Sequence, residues 1–211
     1  DLDDNGCCLV YACQFPATAI SHCAKGAHAQ LFYSLTLMRH RPLSRAQMTD
    51  ADQMIADAWC SLDMAQRNRF APFYSSFNPT DLSGVEHLRR LYVKYPGMWR
   101  GIGEVMCRHD DLTTLLQDKE TPTPNHPGLK PVYEVCGEKD LPIMLHSNSD
   151  FVADTDSFWE YLFEVEEVLN MFPDLRLMWA HSGVSRRVSA PGHHEMIDRM
   201  LTRHKNLTCD I

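Results

Sequence analysis

Two stretches of the chain share one pattern of apolar and polar positions. Leu141-Pro142-Ile143-Met144-Leu145 runs into His146-Ser147-Asn148, and Leu175-Arg176-Leu177-Met178-Trp179-Ala180 runs into His181-Ser182-Gly183. Largely apolar runs of this length suit strands of a parallel sheet covered on both faces. Ligand-capable residues at the carboxyl ends of such strands are where α/β folds keep their chemistry. The two histidines lie 35 residues apart, about one βα unit when a complete eight-unit barrel takes roughly 250 residues.

The same alternation extends in both directions. Asp50 with Gln53 marks a helix start, and Met54, Ile55, Ala58, Trp59 and Leu62 form its apolar stripe. Arg69 to Phe77 reads as a strand closed by Asn78-Pro79. Ser83 with Glu86 predicts a capping box for a helix carrying Val85, Leu88, Leu91 and Tyr92, which stops at Pro96-Gly97. Trp99 to Met106 is the next strand, with Glu104 among its apolar residues. The connection from Cys107 to about Pro127 is long for a compact domain, and long connections of this kind are usually functional. A helix around Leu129 to Lys139 leads into the strand ending at His146. Ser157 with Glu160 predicts a second capping box, for a helix bearing Phe158, Leu162, Val165 and Leu169 and ended by Pro173. Its acidic run Glu164, Glu166, Glu167 reads as a solvated face. A helix around His194 to His204, with Ile197, Met200 and Leu201 inward, precedes a last strand at Asn206 to Ile211 that carries Asp210.

Five strands alternating with helices imply parallel strands joined by crossovers. Their ends carry Asn78, Glu104, His146, His181 and Asp210. An open doubly wound sheet concentrates ligand contacts at one switch point, whereas a barrel recruits nearly every strand end. No Gly-x-Gly-x-x-Gly follows a strand, since Gly101-Ile102-Gly103 lies inside one. The expected fold is therefore α/β, a partial (β/α)8 TIM-type barrel of about five βα units over residues 49–211. The chain stops inside a strand, so a fragment of a larger barrel is expected.

Residues 1–48 form a poorly readable N-terminal segment. Asp1 to Gly6 matches the first half of a calcium loop, but position twelve is Ala12 where a bidentate Glu is needed, so an acidic turn is expected. Cys7, Cys8, Cys13 and Cys23 with His22 and His28 contain no Cys-x-x-Cys knuckle and read as ordinary thiols rather than a zinc site. Ala29 to Met38 is a candidate strand.

Composition narrows the partners. The chain has 211 residues, 44% of them hydrophobic, enough for one large domain with its own core. A formal net charge of −8 provides no basic footprint for nucleic acid or an anionic membrane. No apolar run approaches the ~18 residues of a membrane span. Eight scattered cysteines in a chain that can build a core without staples point to a reducing, cytoplasmic setting. A small-molecule substrate and a possible homo-oligomer are the expected partners.

Taken in order, Arg69-Phe70-Ala71-Pro72-Phe73 with Phe77-Asn78-Pro79-Thr80-Asp81, Trp99-Arg100-Gly101-Ile102-Gly103-Glu104-Val105, Leu141 to His146, and Trp179-Ala180-His181-Ser182-Gly183 resemble the amidohydrolase superfamily. The resemblance is to its amidohydrolase-related branch of metal-dependent hydrolases and decarboxylases, over about residues 50–211. It implies a barrel with metal ligands at a His-x-His on strand one, at histidines ending strands five and six, and at an aspartate ending strand eight. His146 and His181 match the fifth and sixth strands, and Glu104 the fourth, where some members place a bridging carboxylate. None of the eleven histidines forms the His-x-His on an apolar strand, and Asp210 matches the seventh strand rather than the eighth.

The expected centre thus has His146, His181 and Glu104 on a divalent metal, most suitably zinc. Glu104 is either a bridging ligand or a partner that orients a histidine, and alternatively a buried carboxylate paired with Arg100 or Arg108. Glu104 and Asp210 are the candidate catalytic residues. His109, Asn148, Arg186 and Arg187 are the candidates for substrate contact. Asp110 and Asp111 begin the long loop beside them. The expected activity is hydrolysis of a C–N or C–O bond by metal-activated water. The alternatives are non-oxidative decarboxylation of an unsaturated or aromatic acid, and a non-catalytic barrel fragment.

Overall fold

Among the described residues six strands lie side by side in the order in which they occur along the chain, and every neighbouring pair is parallel. They are β1 (Cys8–Val10), β2 (Phe70–Tyr74), β3 (Gly101–Met106), β4 (Ile143–His146), β5 (Leu177–Trp179) and β6 (Leu207–Cys209). The helices between them are α1 (Arg45–Cys60), α2 (Met64–Arg67), α3 (Gly84–Lys94), α4 (Lys130–Lys139), α5 (Leu162–Met171) and α6 (His193–Arg203). This computed structural model describes residues 8–10, 45–109, 121–150, 159–184 and 191–210. The readings made on the calcium-like loop, the candidate strand at 29–38, Asp110, Asp111, Ser157, Phe158, Arg186 and Arg187 lie outside them. So do those on Cys7, Cys13, Cys23, His22 and His28.

Strand order decides between the two α/β architectures. Successive neighbours joined by right-handed crossovers place every helix on one side of the sheet, the arrangement of a barrel; a doubly wound sheet must reverse direction partway. One apolar cluster accordingly joins Ile143, Leu145, Leu177, Trp179 and Leu207 on the strands to residues of α1, α3, α4, α5 and α6. Met144 and Met178 alternate with those residues and so face the opposite, luminal side with His146. Phe73, Pro142 and Met178 line a cavity of about 590 Å³ towards the amino ends of the strands. The chain folds as a partial TIM-type barrel. Five strands stand where the apolar pattern predicts them, and β1 adds a sixth from the segment that pattern could not read.

Several local expectations are overturned, some of them by polar contacts invisible to periodicity. Helix α1 begins at Arg45 rather than near Asp50. Met54 is exposed, and the buried stripe is Asp52, Ile55 and Ala56 with Trp59 packed beside it. Asp52 tolerates full burial because its carboxylate accepts the backbone N–H groups of Ser75 at 3.1 Å and Ser76 at 3.2 Å, and Nε2–H of His87 at 3.1 Å. It pins α1 and α3 to the carboxyl end of β2. The Ser83–Glu86 capping box does not form. Ser83 instead gives its N–H and its hydroxyl to Asp81 Oδ1, both at 2.8 Å, a local turn that competes with the helix cap. On α6, Met196 and Met200 face inward and Leu201 is exposed.

The acidic run on α5 is not a uniformly solvated face. Glu164 is 2% exposed and is gripped by Arg108, with Nη2–Oε1 at 2.6 Å and Nε–Oε2 at 3.0 Å. The Arg108 guanidinium also lies over the Tyr161 ring at 4.0 Å. Glu166 and Glu167 remain accessible to different degrees. Among the described residues no helix is long and apolar enough to cross a membrane.

Two substitutions test these buried carboxylates by urea denaturation. Glu164→Ala removes the carboxylate that grips Arg108 and is expected to cost roughly 3 kcal/mol, while Glu167→Ala, on the exposed side of the same helix, changes stability by less than about 0.5 kcal/mol. Asp52→Ala strands two backbone donors and is expected to cost about 2–3 kcal/mol. A loss at Glu164 no larger than that at Glu167 would show the ion pair to be dispensable.

Candidate metal centre at the strand ends

Glu104 reaches the lumen through an irregularity in β3. Ile102 pairs with Ile143 and Val105 with Leu145, so three steps along β3 match two along β4. One extra residue is accommodated, the signature of a bulge, which re-aims side chains. Gly103 permits it: its φ is +132°, and a Cβ there would lie 2.6 Å from the carbonyl oxygen of Met144. Ile102 and Val105 consequently both pack against the helices, while Glu104 turns the other way.

His146 is the last residue of β4 and pairs in register with Met106. His181 stands just beyond β5, in a turn of three successive left-handed residues: His181 at φ 53°, Ser182 at 51° and Gly183 at 71°. Such conformations cost of order 1–3 kcal/mol for a residue with a side chain, so neighbouring contacts must hold them. Glycine is required at 183, because a Cβ would lie 2.2 Å from the Trp179 ring.

These elements bring the side chains of Glu104, His146 and His181 together, with one ligand-capable atom from each within 4.8 Å of the others. Among the described residues this is the one group of three so placed. Nδ1–H of His146 donates to Glu104 Oε1. Nε2 of His181 lies 3.8 Å from the same oxygen. The two imidazole rings sit 5.0 Å apart at 70°, and the His109 ring lies 4.9 Å from that of His146. Glu104 and His146 are mostly buried, whereas the side chain of His181 is 41% exposed, which opens one side of the group. Burial pushes the Glu104 carboxyl up, but the hydrogen bond from His146 and the charges of His146, His181 and His109 outweigh it and hold the group below the usual range. The arrangement therefore favours an ionised carboxylate beside two imidazoles. Arg108, one of the two arginines considered as its partner, is engaged by Glu164.

The other candidates are distributed around this group. Asn148 is buried, its backbone N–H bonded to Arg108 O at 2.8 Å and its amide Nδ2 without a partner among the described residues. Asp210 lies one residue beyond β6, outside the ligand group; its Oδ1 accepts the backbone N–H of His181. Ser182 Oγ donates to Asp210 O at 2.9 Å, and Nε2–H of His193 donates to Ser182 O at 2.8 Å. Ser149, beyond the β4 end, donates its N–H to Gly183 O at 2.9 Å. Trp179 Nε1–H bonds Ser147 O at 2.7 Å. Sequence reading passed over Ser149, Ser182 and His193 because their bonds go to backbone atoms of residues far along the chain. The glycine at 103 inside a strand was the available sign of the bulge.

The donor set of two nitrogens and a carboxylate oxygen, converging from three adjacent strands, fits a divalent cation of the zinc type. Comparison with known proteins agrees with the fold that carries it. The profile of the amidohydrolase family matches residues 21–211. No curated protein matches the chain. Among solved structures, a 4-oxalomesaconate hydratase from Rhodopseudomonas palustris is similar at 13% identity and a TM-score of 0.52, over 93% of this chain and 61% of that one. A TIM-barrel protein from Bordetella bronchiseptica matches at 16% identity and TM-score 0.48, over 79% and 48% of the two chains. A dihydroorotase from Campylobacter jejuni matches at 18% and 0.45, over 79% and 41%. The chain thus spans between 41% and 61% of the length of these structures. With the family profile extending over most of its length, the chain belongs to the amidohydrolase family.

Proposed function

We propose that this chain carries part of the active centre of a metal-dependent hydrolase that cleaves a C–N or C–O bond of a small molecule. The observation that carries the reading is the convergence of Glu104, His146 and His181 from three neighbouring strand ends within 4.8 Å. Family membership supports an enzyme of this general kind. His146 and His181 would hold the metal, and zinc suits their donor chemistry together with a carboxylate. When bound, such an ion lowers the pKa of its water to about 7 and polarises a carbonyl group.

The chain's own residues divide the remaining work. His146, by giving Nδ1–H to Glu104, keeps a lone pair on Nε2 for coordination, the usual division of labour between ring nitrogens. Glu104, held ionised, has the charge to steady its histidine and to accept a proton from the attacking water. His109 and Asn148 flank the group on the β3 and β4 sides and are proposed to contact substrate. Arg186 and Arg187, which follow His181 in the chain, are proposed to hold a substrate carboxylate.

Two outcomes are expected. The protein copurifies with about one or two divalent ions per chain, and elemental analysis of the folded His146→Ala/His181→Ala double variant finds them gone; unchanged metal content would retire the assignment. In steady-state assays, ester, lactone or amide cleavage is expected, with Glu104→Gln slowing turnover by roughly 100-fold or more. Carbon dioxide release from an unsaturated or aromatic acid, without hydrolysis, would move the protein to the decarboxylase reading.

A further inference from the structure

We infer that Asp210 is a positioning residue: its carboxylate, spent on the backbone N–H of His181, sets the direction in which that imidazole faces the ligand group. The inference rests on the metal-centre reading above. Three contacts join Asp210 to the segment that follows β5. Its N–H donates to Trp179 O at 3.2 Å, its Oδ1 accepts the N–H of His181, and its carbonyl accepts the Ser182 hydroxyl at 2.9 Å. These hold the residue that closes β5 and the first two residues of the left-handed turn at residues 181–183.

The turn needs such a partner. His181 and Ser182 both carry side chains at φ values that L residues avoid, and a regular strand end would point residue 181 elsewhere. The His181 N–H takes a side-chain acceptor at the end of the neighbouring strand. On the far side, His193 of α6 donates to Ser182 O at 2.8 Å and Val184 N–H closes back on His181 O at 2.9 Å. Asp210 therefore acts through backbone geometry, although an aspartate at the end of the neighbouring strand looks from the sequence like a ligand or a base. An amide oxygen in the same place can accept the same N–H. That distinguishes positioning from coordination, where an amide oxygen is a much poorer zinc ligand than a carboxylate.

The test compares Asp210→Asn with Asp210→Ala in the full chain. Zinc affinity is measured by competition with a chromogenic chelator, and hydrogen exchange at the His181 amide is measured in the metal-free protein. Asp210→Ala is expected to lose exchange protection at His181 and to bind zinc about 10–100-fold more weakly, the usual effect of removing a group that orients a ligand. Asp210→Asn is expected to keep both close to wild type. Equal loss of zinc affinity in both variants would overturn the inference in favour of direct coordination. Unchanged affinity in Asp210→Ala, with or without altered exchange, would overturn it too. Should Asp210→Ala fail to fold, Asp210→Glu takes its place, keeping the charge while displacing the acceptor by one methylene. Weakened zinc binding together with lost exchange protection at His181 then supports positioning, while unchanged binding, or weakened binding with protection retained, refutes it. If the wild-type protein binds no zinc, the metal-centre reading fails by itself, while retained exchange protection at His181 in Asp210→Ala would separately refute the role of the side chain.

Discussion

The contact between Glu104 and His146 depends on one additional residue in the strand that carries Glu104. In an unbroken strand, residues 102 and 104 would share a face. Ile102 packs among the helices, so a regular β3 would drive a carboxylate into the apolar layer, where an unpaired charge is expensive. The bulge at Gly103 separates the two, leaving Ile102 and Val105 on the helix side and Glu104 in the lumen. The close approach of Gly103 to the Met144 carbonyl leaves no room for a side chain there. Packing and chemistry are thus satisfied by the same irregularity.

Around that contact the polar groups of the strand ends are largely tied to one another's backbones. Asn148 bonds across to Arg108, Ser149 to Gly183, Trp179 to Ser147, and Asp210 accepts from His181. Arg108 is held in turn by Glu164 of α5. A loop cluster built this way has its direction set by hydrogen bonds rather than by apolar burial, which suits a face where side chains must stay available for chemistry. The apolar cluster on the other side of the sheet supplies the rigid base on which these bonds operate.

Two of the three ligand-capable residues were legible from the chain as a string, because His146 and His181 each terminate a conspicuous apolar run. The third, Glu104, was visible only as an acidic residue within an apolar strand, and its facing depends on the bulge. The misreadings share a cause. Met54 and Leu201 satisfied helical periodicity yet are exposed, while Asp52 and Glu164 are polar yet buried. Periodicity scores the side chain alone; burial of a carboxylate is decided by whether donors such as the Ser75 and Ser76 amides or Arg108 meet it.

The amino-acid sequence by itself determined the succession of strands and helices and the placement of histidines at two strand ends, because these follow from apolar runs and breakers acting over a few residues. Tertiary structure alone decided the strand order that makes the sheet a partial barrel, the extra pairing of β1, the luminal aim of Glu104, and the engagement of Asp210 with the His181 backbone. Each of those joins residues many positions apart, where the outcome depends on which donor and acceptor are brought within about 3 Å, and local pattern carries no record of that distance.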